Sequence, residues 1–349
     1  MKYQLKEKDN ISNLNKLDLL ELLNKLLLNL NQTKSLIDNY YNEWEIIKKN
    51  IHDYEYIYTS SYYIKNISSI SPISRSYFKF TEIFYEFNLD NILKENVRVT
   101  CLAEAPGGFI QSIKNIFYNN IKDIYGITLL SSDNKVPKWN SLLKNCPKTK
   151  FIYGKNKDGD LYNLNNVISI IKDIGKNSID LVTGDGGFDY SSDYSSQEIN
   201  SYKLIYSEIF LALNIQKNHG IFICKFFDMF NINTIKLLYI LYKSYNNVYI
   251  YKPKISRFSN SEKYLICIDY KGYNKKIINK LFNSFGKNIE YDISNKFINN
   301  IYEYNKLYSN KQIYHIKKGI NLIKNKNITR NPNNLQIKKA IEWCNNYKI

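Results

Sequence analysis

Ile179-Asp-Leu-Val-Thr-Gly-Asp185-Gly-Gly-Phe-Asp-Tyr190 opens as a short apolar run of strand length and meets Gly184, Asp185, Gly186 and Gly187. A strand that runs into glycines and a carboxylate places that carboxylate at the carboxyl edge of a sheet. In open α/β sheets this is the edge where ligands bind. Taken alone, the stretch slightly favours a tight turn with a solvated aspartate. The rest of the chain reverses that balance.

Upstream, Val97–Ala103 reads as a strand that enters Glu104-Ala105-Pro106-Gly107-Gly108-Phe109 and then a helix over Ile110–Tyr118. Strand, glycine turn and helix start make a nucleotide-type cradle, with the glycines allowing close approach of a ligand to the backbone. The pattern is neither G-x-G-x-x-G nor a Walker sequence, so dinucleotide and triphosphate readings are weak. An acid at Glu104, ahead of the glycines, suits a cationic ligand such as a sulfonium-bearing amino acid. Asp123–Leu129 reads as a second strand with Thr128 near its edge, and Lys150–Gly154 as a third. The loop Lys157-Asp-Gly-Asp160 that follows places a carboxylate for a ribose or adenine, or is a plain surface turn.

A helix is expected over Val167–Ile174, and another over Gln197–Leu213 after the polar loop Ser191–Ser196. His219–Asp228 reads as a buried strand carrying Lys225 near its end. A lysine there is costly to desolvate unless it is paired or its pKa falls, although a snorkelling side chain is the ordinary alternative. Helix Thr234–Tyr245, strand Val248–Tyr251, a basic loop from Lys252 to Glu262 and a last strand, Tyr264–Ile268, complete the pattern. This alternation over residues 97–269 predicts a doubly wound, Rossmann-like α/β domain.

The flanks differ. Residues 11–50 carry leucines at helical spacing (Leu14, Leu17, Leu20, Leu23, Leu26, Leu27, Leu30) with Ser12 as a candidate N-cap, predicting helices that pack on the main domain. Residues 51–72 read as a connecting segment. Ser74–Phe84 opens a helix whose buried face is Phe80, Ile83, Phe84 and Phe87; Lys79 on it carries no signal alone. Of a formal charge of +17, residues 271–349 hold +12, from sixteen Lys/Arg against four Asp/Glu. A polyanionic partner is expected. The aromatics of this tail are interleaved with lysines, which suits single-stranded RNA and equally a small helical core.

The five cysteines are scattered without a Cys-x-x-Cys pair and histidines number three, so no metal site is expected. Cys101, Cys224 and Cys267 read as buried thiols. With no apolar run of membrane-spanning length and no signal peptide, a soluble intracellular protein without membrane contact is expected.

Together, Ser74-Arg-Ser-Tyr-Phe-Lys79, Leu102-Ala-Glu-Ala-Pro-Gly-Gly-Phe109, Gly184-Asp-Gly-Gly-Phe-Asp189, Cys224-Lys225 and Asn260-Ser-Glu-Lys-Tyr264 resemble the FtsJ-like RNA ribose 2′-O-methyltransferases. Within them they look most like the eukaryotic and viral mRNA cap branch. The likeness covers residues 70–270, leaving 1–60 as an N-terminal helical segment and 271–349 as a basic extension. It implies a Lys-Asp-Lys-Glu tetrad at Lys79, Asp185, Lys225 and Glu262, with Lys225 as general base and no metal. It further implies S-adenosylmethionine as donor, held by Glu104, Ala105, Pro106, Gly107, Gly108 and Phe109, with Thr128, Asp160 and Asp185 beside it. Lys252, Lys254, Ser256 and Arg257 are the expected RNA-backbone contacts, capped mRNA the expected substrate, and capping or transcription machinery candidate partners; oligomeric state stays open. The alternatives are an rRNA or tRNA 2′-O-methyltransferase and a non-catalytic RNA-binding subunit that keeps the fold.

Overall fold

The computed structural model describes residues 1–7, 14–59, 66–144, 146–187, 196–329 and 331–349. Strands β1 (Lys2–Gln4), β2 (Val97–Leu102), β3 (Ile121–Ile127), β4 (Thr149–Phe151), β5 (Ile179–Gly184), β6 (Gln216–Phe226), β7 (Tyr245–Tyr251) and β8 (Lys263–Tyr270) form one sheet. Their order is β1-β7-β8-β6-β5-β2-β3-β4. From β4 to β6 neighbouring strands are parallel, while β8 and β7 pair antiparallel at the other side. Residues 2–4, within the segment expected to be helical, instead add an edge strand to β7.

Side chains of the central strands alternate between two apolar layers, as a sheet covered on both faces requires. Ile221 and Ile223 of β6 join Val97, Val99, Leu181 and Ile266 on one face. Helices α1 (Lys16–Ser35), α2 (Tyr41–Asn50), α3 (Ser76–Glu86) and α4 (Gly108–Phe117) follow in chain order. Of these, α3 and α4 cover that face with Phe80, Ile83, Phe109 and Ile110. Next come α5 (Ser141–Lys144), α6 (Leu164–Ile174), α7 (Gln197–Ile215) and α8 (Ile232–Ser244). On the opposite face Phe222, Cys224, Leu265 and Cys267 meet residues of α6, α7 and α8. The thiols of Cys101, Cys224 and Cys267 are buried and free.

The expected cap Ser12 and the polar loop 191–195 lie outside the described residues. Asn15 caps α1, its Oδ1 accepting from the Leu17 and Asp18 amides while Asp18 returns the bond to the Asn15 amide. The buried stripe of α1 is Leu19, Leu23 and Leu30, so Leu17 faces solvent. The tail folds as α9 (Lys275–Asn283), α10 (Asn295–Lys324) and α11 (Asn334–Asn346). Phe297, Tyr304, Tyr308, Trp343 and Tyr347 are buried, whereas Phe282 and Tyr314 are exposed. Packing, one of two uses the sequence allowed for these rings, takes the first group. No helix among the described residues is long and apolar enough to cross a membrane.

Candidate active site

Strand register assembles the site. Leu102 pairs with Gly184, Gly184 with Cys224, Cys224 with Leu265, and Lys225 with Tyr264. The residues just beyond β2 and β5, the end of β6 and the start of antiparallel β8 therefore share one edge. The chain leaves β2 toward β3 and β4, then returns to β5 on the other side. The carboxyl ends of β2 and β5 thus flank the switch point, where the crossovers leave a crevice.

Two ion pairs stand at this edge. Lys225 Nζ lies 3.2 Å from Asp185 Oδ1 and donates to the Asp185 carbonyl at 2.8 Å. Tyr264 Oη donates to the same Asp185 Oδ1 at 2.7 Å. Lys79 Nζ donates to Glu262 Oε2 at 2.8 Å, and Ser256 Oγ donates to Glu262 Oε1 at 2.9 Å. The four charged side chains of the expected tetrad are thus brought together, from positions as far apart as α3 and the loop before β8.

Glu262 is tuned by the cations beside it. Burial works to raise Glu262, but Lys79, Lys225 and Lys252 together hold it well below the usual carboxylate range. Burial likewise works to lower Lys225, but Asp185 and then Glu262 leave its ammonium more stable than in water. The free protein therefore holds Lys225 protonated.

At the neighbouring strand end the Ala105–Pro106 peptide is cis, and Gly107 adopts φ +113° before α4 begins. A Cβ on Gly107 would fall 2.0 Å from Leu143 Cδ1, and one on Gly108 2.2 Å from both Ser74 Oγ and Ser76 Oγ. The lack of a Cβ at both positions lets the turn pack closely against Leu143 of α5 and against Ser74 and Ser76 at the start of α3. Glu104 is buried: its Oε1 accepts from the Phe109 amide at 2.6 Å, at the start of α4. Its Oε2 has no partner among the described residues. Burial, then nearby Asp185, push this carboxyl well above its ordinary value, against the Phe109 and Ile110 amides. The loop carrying Asp160 abuts Thr128: the Leu130 amide donates to the Asp158 carbonyl at 2.7 Å. Asp160 itself accepts from the Tyr162 amide at 2.8 Å.

The basic loop departs from expectation. Lys252 is 1% exposed and Ser256 3%. Lys252 Nζ donates to the Asn260 and Glu262 carbonyls and to Asn260 Oδ1, so neither residue offers a cation or hydroxyl to a phosphate outside. An unpaired loop needs internal donors for its carbonyls, and Lys252 supplies them. Burial pushes its ammonium well below the ordinary lysine value, although Glu262 opposes this. Lys254 binds Glu86 and keeps 38% of its side chain exposed, while Arg257 is held by Glu55 with 23% exposed.

Several residues of this architecture escaped the sequence reading. Glu55, within the segment read as a connector, accepts from Arg75 and Arg257. Glu82 of α3 accepts from Tyr251 Oη, the Lys254 amide and Trp343 Nε1, tying α11 to the sheet edge. Glu208 lies under the Gly184–Gly186 turn, where the Cys224 thiol donates to it at 3.3 Å and burial pushes it up to about 8. An acid within the apolar run Ile209–Leu213 and Leu204–Tyr206 was its only sequence signal. Tyr264 was read only as the end of the Asn260–Tyr264 motif and the start of a strand, with no role of its own.

The model of the FtsJ-like methyltransferase family matches residues 72–270. A Caenorhabditis briggsae cap-specific mRNA (nucleoside-2′-O-)-methyltransferase 1A is 28% identical over 232 residues, 59% of this chain and 26% of the relative. The cap-specific methyltransferase 1 of Leishmania braziliensis is 33% identical over 152 residues, 43% of this chain and 37% of that protein. An inactive cap-specific methyltransferase 1B of C. briggsae is 27% identical over 232 residues, covering 59% and 27%. This chain spans about a quarter to two fifths of the length of these relatives. With more than half of its residues matched by the family model, and the matched segment forming the sheet edge just described, the chain belongs to the FtsJ-like methyltransferase family.

Proposed function

We propose that this protein transfers a methyl group from S-adenosylmethionine to a ribose 2′-hydroxyl of RNA, near the 5′ cap of mRNA. The observation that carries the proposal is the meeting of the Lys225–Asp185 and Lys79–Glu262 pairs at the switch point of the sheet. Members of the family use S-adenosylmethionine, which supplies an activated, cationic methyl donor. The residues present fit a cation: Glu104 Oε2 is buried without a partner among the described residues, with Asp185 beside it, and a cation there would favour the ionised carboxylate that burial alone disfavours. Glu104–Phe109 would hold the amino-acid end, with Thr128 and Asp160 toward the adenosine.

Lys225 takes the hydroxyl proton at Nζ in this reading. Its ammonium is favoured in the free protein, so it must first lose its own proton to solvent. A cation arriving beside Asp185 works in that direction, because like charge disfavours the ammonium. Asp185 and Glu262 keep the two lysine heads in place, and Lys79 holds Glu262 charged. Alignment of the 2′-oxygen with the methyl supplies most of the acceleration, and Lys225 a further factor of about 10²–10⁴.

Support for the cap comes from the relatives' names, and support for RNA from the net charge of +17. Methyl transfer from labelled donor to capped and uncapped RNA, with nuclease mapping of the product, tests it. Equal transfer to both would favour the rRNA or tRNA reading. The inactive relative supports a second reading, a non-catalytic RNA-binding subunit. That reading requires no transfer to any RNA from a protein that still binds it.

A further inference from the structure

The loop that carries Glu262 is held from outside the family domain. Helix α10 lies beyond the matched residues 72–270. From it, Tyr308 Oη donates to the Asn260 carbonyl at 3.0 Å. Gln312 Nε2 donates to the Ser259 carbonyl at 3.2 Å. The two residues are one helical turn apart, so they present one face to the loop. Both are buried, and the Tyr308 ring stacks on Tyr304 at 5.7 Å with Lys263 Nζ 4.3 Å from its centroid.

These carbonyls lie two and three residues before Glu262. Asn260 Oδ1 accepts from the Glu262 amide at 3.2 Å, so a shift of Asn260 is passed directly to the glutamate backbone. Lys252 grips the same segment from the sheet side. The loop is therefore clamped between β7 and α10. The family domain alone supplies Lys252 and Gln197, which accepts from Ser261 Oγ, and lacks the α10 side. Orientation within a few tenths of an ångström matters for alignment of reacting groups, and a misplacement of about 1 Å can cost on the order of 10² in rate.

We propose that Tyr308 and Gln312 are positioning residues for Glu262, and that the C-terminal helix completes the transfer site. The inference rests on reading Glu262 as a member of that site. It assigns the tail a mechanical task at the site, separate from any contact with phosphate.

The test uses the full chain with Tyr308→Phe, which keeps the ring and its packing, Gln312→Leu, and the two combined. Backbone hydrogen exchange over residues 258–262, donor affinity by calorimetry, and kcat and KM for RNA are measured on each. The combined variant should show faster exchange confined to 258–262, a kcat lowered about tenfold or more, and donor affinity within twofold of the parent. Unchanged exchange in that segment overturns the clamp whatever the kinetics show. Faster exchange with unchanged kcat overturns its bearing on transfer. If the combined variant loosens throughout, Tyr308→Phe alone decides by the same two readouts. Glu262→Gln measured alongside separates the two readings: normal turnover there would fault the role given to Glu262, while the exchange result would still judge the clamp.

Discussion

Glu55 offers a sharp test of how this edge is held. Its carboxylate is 1% exposed and receives Arg75 Nη1 at 3.2 Å, Arg257 Nη2 at 2.6 Å and Arg257 Nε at 2.9 Å. Burial works to raise it, but Arg75 and Arg257 bring it from 4.5 down to about 2. That difference of roughly 2.5 units, at about 1.4 kcal/mol per unit, corresponds to about 3 kcal/mol. Breaking one side of a buried pair costs a similar 3–5 kcal/mol or so, because the partner's charge stays behind. Since both arginine side chains are 23% exposed, solvent recovers some of this, and about 2–3 kcal/mol is expected. A depressed carboxyl stabilises fully above its unfolded value and loses that contribution as pH falls toward the folded one. Glu55→Gln should therefore lower unfolding free energy by about 2–3 kcal/mol at pH 7, with the gap closing between about pH 4.5 and 2. Urea titrations of both proteins at pH 7, 4 and 3 measure it. Methyl transfer should fall as well, because Arg257 adjoins Ser256, which holds Glu262. A loss under about 1 kcal/mol at pH 7, or a gap independent of pH, would refute the reasoning.

Other outcomes follow from the same structure. Lys225→Ala should reduce methyl transfer by at least about 10²-fold while leaving donor affinity nearly intact; near-normal turnover would remove Lys225 from the mechanism. Glu208, pushed up to about 8 from 4.5, takes on a proton when the chain folds in that range, so its contribution to stability declines as pH rises between these values. Glu208→Gln cannot ionise, and its stability relative to the parent should grow by up to about 4 kcal/mol from pH 5 to pH 8; parallel curves would count against it. Gly107→Val should destabilise the fold itself, since φ +113° and the Leu143 contact leave no room for a side chain. A stable variant that merely binds donor less well would show that the glycine serves ligand approach alone.

What the sequence determined by itself was the repeating local pattern. Apolar runs of strand length alternating with helical periodicity from Val97 to Ile268 are local properties, and the observed strands and helices follow them within a few residues. Motif residues at strand ends, Asp185 and Lys225 among them, were legible because a glycine turn or a charge interrupts an apolar run. Strand order and register were decided only in three dimensions. They carry Lys79 across to Glu262, and Tyr264, to which the sequence assigned no role, to Asp185. The flanks were least legible. A lysine or serine in a basic loop looks alike whether it faces a phosphate or a backbone carbonyl, and partners at sequence distance choose between these. Lys252 and Ser256 turn inward because the loop before β8 has carbonyls and a carboxylate to satisfy. Tyr308 and Gln312 reach that same loop from 48 and 53 residues away, a separation over which no local pattern carries information.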